Sequence, residues 1–439
     1  MATAPTAWHT ARVSEPIVKT KRFELILVHP HARKAVRLPT LSLPPDAAYE
    51  ARPLLAGVRA RFGLDAIVLL RLGGGLGSDR RFAWYRMALA AASEALPAGL
   101  AWTLDAELAA VLDELEQVAP DQPWARPAFW PALGRWIGHA CHAAGLGPVA
   151  AVEQVRAWDL STVALVRLES GATLYYKAVP RAFAAEPAVT AWLGTLAPAR
   201  VPELVARDPA HRGMLLHACE GTRLDATEAL PAWERAARDY AEIQRASAPH
   251  VDQLVRLGLP RRSLAALPDA WERLRADAAC LQPGLHTDLT ADEQAALARV
   301  DGARVAGWIV RLGAHAPLEA VEHGDFHAGN AFIGPGGARV IDWTDAAVTH
   351  PFLSLVTFQR SLEHHPALAR VDGVRDRLAR AYLAGWGAVD APLPAIALLG
   401  AAYQAVHYRE RVTPLAHHFE EIRTAVPAYV RAVLEAADR

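Results

Sequence analysis

The sequence predicts an α+β chain in which a small α/β unit precedes a strand-rich segment and then a larger helical one. Three observations predict it. The 439 residues exceed one ordinary core and suit two or three, with a globular composition of 52% hydrophobic and 21% charged residues. Strand-length apolar runs and helical stretches fill the chain until APDQPWARPAFWP (119–131), whose prolines and tryptophans interrupt every periodic pattern. Beyond it, β-branched and aromatic runs around Gly171 give way from residue 225 to mostly helical sequence. These breaks set an N-terminal α/β accessory domain at 1–130, a β-rich lobe at 131–220 and an α-rich lobe at 221–439.

In the first domain FELILV (23–28) reads as a strand, RLPTLSLPP (37–45) as an extended piece, 47–62 as a helix, and DAIVLL (65–70) as a strand before further helices. RLGGGLGSD (71–79) matches neither GxGxxG nor GxxxxGK[ST], so it reads as a flexible loop rather than a phosphate loop. The strand, the extended piece and the helix ending VRARFGL (58–64) resemble a Nudix-type domain. That hydrolase needs a REUxEExGU helix to chelate magnesium. Here Ala60 and Arg61 stand at carboxylate positions before Gly63, with Gly57 further back, so the resemblance implies a dead hydrolase with an accessory, substrate-presenting or dimerising role.

After a helix at 131–144 come the strand QVRAW (154–158) and a hairpin, TVALVRLES and ATLYYKAV, turning at Gly171. A helix at 184–197 and a strand GMLLHA (213–218) follow, and Thr290-x-x-Glu293 is a capping box that opens one long helix.

A net charge of −1 draws the chain toward neither nucleic acid nor a membrane surface. MATAPTAWHTARVSEP lacks an apolar run of signal length, and no window holds about 18 uninterrupted apolar residues. Cys141, Cys219 and Cys280 form neither a disulfide framework nor a CxxC pair. A cytoplasmic protein is the expectation. Of 46 basic residues only four are lysines: Lys19, Lys21, Lys34 and Lys177. A compact ammonium and a planar guanidinium are not interchangeable where a point charge must reach a phosphate, which singles out Lys177.

HGDFHAGN (323–330) admits two readings. His323, Asp325 and His327 would share one face of an extended strand, as zinc ligands in a metallohydrolase. Alternatively, Asp325 and Asn330 are the functional pair of a loop. The following AFI (331–333), GPGG (334–337) and ARVI (338–341) predict a hairpin that brings Asn330 beside Asp342, next to Asp325. Those hard oxygen donors suit magnesium and leave room for phosphates.

With Ile341-Asp342-Trp343, the segment His323-Gly324-Asp325-x-x-x-x-Asn330 resembles the aminoglycoside phosphotransferase and choline kinase group, which has a two-lobed protein-kinase-like fold. Its Asp-to-Asn spacing is that of the protein-kinase catalytic loop. The resemblance covers about 150–439. It implies a phosphotransferase moving the γ-phosphoryl of ATP or GTP to a small-molecule hydroxyl, with Mg²⁺ held by Asn330 and Asp342. Asp325 would accept the proton of, or orient, the acceptor hydroxyl. Lys177, oriented by Glu186 on the next helix, would hold the nucleotide phosphates. GMLLHACEG (213–221) would join the lobes, with backbone at His217 and Ala218 beside the base. His323 would support the loop, and His327 would touch phosphate or acceptor. The turn over the phosphates, WDLST (158–162), departs from a glycine-rich loop and offers Ser161 and Thr162 instead.

Structural alternatives exist for single residues: Lys177 as a solvated strand residue, and Glu186 as an acid in a first helical turn. A pseudokinase that binds nucleotide without transfer is the rival function, and the presence of Asp325 argues against it. Acceptor candidates by position are Asp345, His350, Tyr403, His407 and Glu410. Trp343–Arg439 holds ten acidic and ten basic residues, no excess of the kind a polycationic aminoglycoside would want.

Overall fold

The computed structural model describes residues 20–44, 51–76, 82–91, 100–285, 287–313, 318–387, 391–416 and 419–437. The chain divides into two compact units, Met1–Pro131 with Gln154–Trp158, and Ala132–Glu153 with Asp159–Arg439.

The first unit is a four-stranded sheet of β1 (Thr20–Val28), β2 (Ala35–Leu43), β3 (Ala66–Leu76) and β4 (Phe82–Ala91) in the order β2-β1-β4-β3. β1 and β4 run parallel and the other pairs antiparallel. Side chains alternate across a strand, so the unbroken run in β1 serves two cores. Phe23, Leu25 and Leu27 pack with Leu54 and Val58 of α1 (Ala51–Phe62), whereas Ile26 and Val28 pack with Leu108, Val111, Leu112 and Leu115 of α2 (Ala106–Val118).

Two expectations fail here. Arg71–Leu76 is strand, not flexible loop: Gly73, Gly74 and Gly75 pair with Arg86, Tyr85 and Trp84, beyond register shifts that absorb extra residues. Residues 77–79 lie outside the described residues. FAWYRMALAA (82–91), expected among the helices, is the strand β4 between β1 and β3. Residues buried on both faces erase the period-two signal. The expected helix at 47–62 begins at Ala51, and 47–50 lie outside the described residues.

The second unit begins within α3 (Phe129–Ala143), and a five-stranded sheet in the order β5-β6-β7-β9-β8 follows. Its strands are β5 (Val149–Trp158), β6 (Ser161–Leu168), β7 (Thr173–Ala178), β8 (Leu204–Asp208) and β9 (Gly213–His217), and α4 (Glu186–Leu196) follows β7. Gly171 turns the β6–β7 hairpin at φ +86°, a conformation that favours glycine.

The helical part is centred on α5 (Leu230–Ser247), followed by α6 (Val251–Arg256), α7 (Leu267–Arg275), α8 (Ala278–Leu281), α9 (Ala291–Ala298) and α10 (Gly302–Leu312). β10 (Thr222–Arg223), β12 (Ala331–Gly334) and β13 (Gly337–Val340) form one small sheet, and β11 (Ala320–Glu322) and β14 (Ala347–Thr349) another. α11 (Ser354–Arg360), α12 (Pro366–Ala369), α13 (Val374–Gly385), α14 (Leu393–His407), α15 (Glu420–Arg423) and α16 (Ala425–Ala437) complete it. The Thr290–Glu293 capping box is present, but the helix it opens has eight residues, because Asp301 caps a new helix at once. Aromatic stacking fixes the core beneath the 323–330 loop, with ring centroids of Tyr240 and Phe326 3.9 Å apart and those of Phe326 and Phe358 4.8 Å apart. No helix among the described residues is long and apolar enough to cross a membrane.

Candidate active site

The hairpin of β12 and β13 aligns Ala331 with Val340, and the Ile341 N–H donates to the Asn330 carbonyl at 2.9 Å. Asn330 and the chain entering Asp342 are thereby tied at the open end. Asp342 adopts φ +65°, a left-handed conformation that costs a side-chain-bearing residue about 1 kcal/mol. Its side chain meets the strand carrying Lys177.

Lys177 lies on β7 between Val163 and Met214 and is buried. An ammonium has three hydrogens, and each finds an acceptor: Glu186 Oε1 at 2.7 Å, Asp342 Oδ1 at 2.5 Å and Thr344 Oγ1 at 2.5 Å. Thr344 Oγ1 in turn lies 2.6 Å from Asp342 Oδ1 and 3.0 Å from Glu186 Oε2, and donates its single hydrogen to one of them. Burial opposes the charge on Lys177, but Asp342 and Glu186 outweigh it and the ammonium is held above its usual range. Asp342 is also desolvated, yet Lys177 keeps its carboxyl well below the ordinary range. Burial pushes Glu186 up to about 7, against the pull of Lys177.

In the 323–330 loop, Gly324 has φ +81°, and a Cβ there would lie 2.3 Å from the Asp345 carbonyl oxygen. Only glycine fits. The Asn330 Nδ2 donates to the Asp325 carbonyl at 3.0 Å, which turns the amide oxygen away from that bond. His323 is buried; its Nε2–H donates to the Ile341 carbonyl at 2.8 Å and its Nδ1 accepts the Asp325 N–H at 3.2 Å. Burial holds this imidazole below its usual pKa. Both ring nitrogens are thus used internally, which tells against the zinc reading, and no three His, Cys, Asp or Glu side chains among the described residues could hold a metal. His327 Nδ1 accepts the Gly329 N–H at 3.0 Å, and its Nε2 lies 3.5 Å from Asp325 Oδ2. Burial disfavours its charge, but Asp325 more than offsets this and the pKa is raised.

Beneath the loop, the Tyr240 hydroxyl accepts from the His323 N–H at 3.0 Å and from Gln244 Nε2 at 2.9 Å. Its own hydrogen therefore goes to Ser354 Oγ at 2.6 Å, and that of Ser354 to Glu322 Oε1 at 2.6 Å. Burial pushes Glu322 up to about 7 against the bond from Ser354.

The other expected residues are placed differently. Thr162 is wholly buried opposite Ala178, and Ser161 is buried beside it, so their side chains are not open to solvent. The His217 N–H donates to Glu203 and the Ala218 N–H to Thr173, so a base reaches those N–H groups only by displacing these bonds. His350 is buried, with its Nδ1 accepting the Phe352 N–H at 3.3 Å. The buried Tyr403 hydroxyl has no hydrogen-bond partner among the described residues. Sequence reasoning missed Thr344 and Glu322. Thr344 sits two residues after Asp342, and Glu322 is a lone acid in an apolar strand.

Residues 161–392, just over half the chain, match the model of the phosphotransferase enzyme family. The chain belongs to that family. No match was found among curated proteins. Among solved structures, macrolide 2'-phosphotransferase MphH from Brachybacterium faecium is similar at 16% identity, over 68% of this chain and 97% of that one, with a TM-score of 0.45. Choline kinase from Cryptosporidium parvum is similar at 12% identity, over 69% and 96%, with a TM-score of 0.48. For choline kinase LicA from Streptococcus pneumoniae the identity is 14%, over 70% and 100%, with a TM-score of 0.47.

Proposed function

We propose that the chain is a magnesium-dependent phosphotransferase that moves the γ-phosphoryl group of ATP or GTP to a hydroxyl of a small molecule. The observation that carries this reading is the convergence of Glu186, Asp342 and Thr344 on the buried Lys177 ammonium, beside the hairpin end that holds Asn330. A buried ammonium kept charged by two carboxylates is the group needed to meet nucleotide phosphates. Glu186 holds it from one side while Asp342 is released to other work. Asn330 Oδ1 and Asp342 Oδ2, hard oxygens that no described residue engages, fit magnesium, which would neutralise phosphate charge when bound. Asp325 orients the acceptor hydroxyl and takes its proton, and the neutral His323 fixes the Asp325 main chain from behind. Ser161 and Thr162, the first residues of β6, follow the turn over the phosphates, and His217 and Ala218 belong to the connection beside the base. Residues 1–130 act as an accessory unit.

The test is transfer of label from [γ-³²P]ATP or GTP, with magnesium, to a set of hydroxylated metabolites. At least one acquires label, and Asp325→Asn lowers the rate by about 10²- to 10⁴-fold with nucleotide binding retained. Nucleotide binding with no labelled acceptor would instead support a nucleotide-binding protein without transfer.

A further inference from the structure

Asp345 stands three residues beyond Asp342, with its main-chain oxygen and Cβ packed against Gly324, the neighbour of Asp325. Its Oδ1 lies 3.0 Å from His407 Nε2, and the other ring nitrogen, Nδ1, lies 2.7 Å from Arg262 Nη1. A guanidinium only donates, so His407 Nδ1 carries the lone pair and Nε2 the hydrogen, which is donated to Asp345. Arg262 is held in turn by Glu410 at 3.1 Å and lies 4.8 Å over the Tyr403 ring, while Arg273 braces Glu410 at 3.3 Å.

Four side chains are thus ordered in series to fix one oxygen of one carboxylate. Ordering long side chains costs entropy, which a merely solvated aspartate would not require. The His407 side chain is 2% exposed, but that of Asp345 is 18% exposed, and its Oδ2 has no hydrogen-bond partner among the described residues. Arg411 also acts electrostatically on Asp345, but its Nη2 is spent on the Ala182 carbonyl at 2.7 Å and no bond joins it to the carboxylate. The Tyr408 hydroxyl, raised chiefly by burial and then by Tyr429, is raised further by both Asp325 and Asp345.

We propose that Asp345 binds the acceptor, its free oxygen taking a hydrogen from a hydroxyl or ammonium near the reacting hydroxyl, and that His407, Arg262 and Glu410 are positioning residues that aim it. This rests on the phosphotransferase reading above. The acceptor class is then a diol or amino alcohol rather than a simple alcohol.

The experiment measures nucleotide turnover with magnesium and ATP or GTP, using cyclohexanol, 1,2- and 1,3-cyclohexanediol and 2-aminocyclohexanol as matched probes, alongside nucleotide affinity. The wild type turns over at least about tenfold faster with a diol or the amino alcohol than with cyclohexanol, the effect of one hydrogen bond to a charged group. Asp345→Asn loses that preference with nucleotide affinity unchanged. His407→Gln, whose amide N–H replaces Nε2–H, retains it, whereas His407→Leu does not. A wild type that binds nucleotide but shows no preference, or an Asp345→Asn variant that keeps it, overturns this inference alone. A wild type that binds neither nucleotide overturns the phosphotransferase reading and this one with it.

Discussion

Two clusters flank the 323–330 loop, and they handle charge in opposite ways. The bundle around Lys177 holds its ammonium above and Asp342 below their usual ranges, although the ammonium is buried and Asp342 partly so. The network of Tyr240, Ser354, Gln244 and Glu322 is built of hydroxyls, an amide and a carboxyl pushed up to about 7. In the bundle the ammonium and Asp342 stay charged because they meet each other, while Glu186, wholly buried, is pushed up to about 7 even beside Lys177; in the network Glu322 has only hydroxyl and amide partners for its hydrogen bonds. The first arrangement suits a site that exchanges internal ion pairs for a charged ligand. The second suits a scaffold that only has to hold the loop in shape.

The hardest blow to the scaffold is Gly324→Ala. It places a methyl 2.3 Å from the Asp345 carbonyl oxygen at φ +81°. We expect a loss of about 3 kcal/mol in chemical denaturation, from clash and backbone strain together. A variant as stable as the wild type would mean that the loop is not fixed where we place it.

Glu322→Gln sharpens the contrast through pH. The folded carboxyl titrates near 7, above its ordinary 4.5, so between these values the folded state retains a proton that the unfolded chain has released. Wild-type stability therefore falls as pH rises from 4.5 to 7, and this contribution is flat beyond. Glutamine does not titrate. The variant should gain about 3 kcal/mol over the wild type at pH 8 and almost nothing at pH 4.5, measured by urea unfolding. A difference independent of pH would contradict the assignment.

Thr344→Val probes the ionic side. It removes an acceptor of the Lys177 ammonium and leaves both carboxylates in place. Nucleotide affinity should weaken about fivefold, near 1 kcal/mol, with the fold intact.

The same contrast explains what was legible in the sequence. Lys177 was visible because it is nearly the only lysine, and Asn330 and Asp342 because a glycine-proline turn between two short apolar strands brings their ends together. In those cases residue type and local geometry carry the information. Thr344 and Glu322 depend on partners from distant elements, Thr344 on β7 and α4, Glu322 on α11, and no local period announces such pairings. The strand at 82–91 was hidden for a related reason: it lies between two strands and is apolar on both faces. The glycines after Arg71 read as a loop because glycine signals a turn, whereas here register shifts let them remain in the ladder.

The most direct test of the central claim is calorimetric titration of Mg²⁺-ATP and Mg²⁺-GTP into the wild type, Lys177→Ala and Asp342→Ala. We predict millimolar or tighter binding of at least one nucleotide, weakened by both substitutions. Binding that neither substitution alters, or no binding of either nucleotide, would contradict the assignment of the Lys177–Asp342 bundle as the nucleotide site.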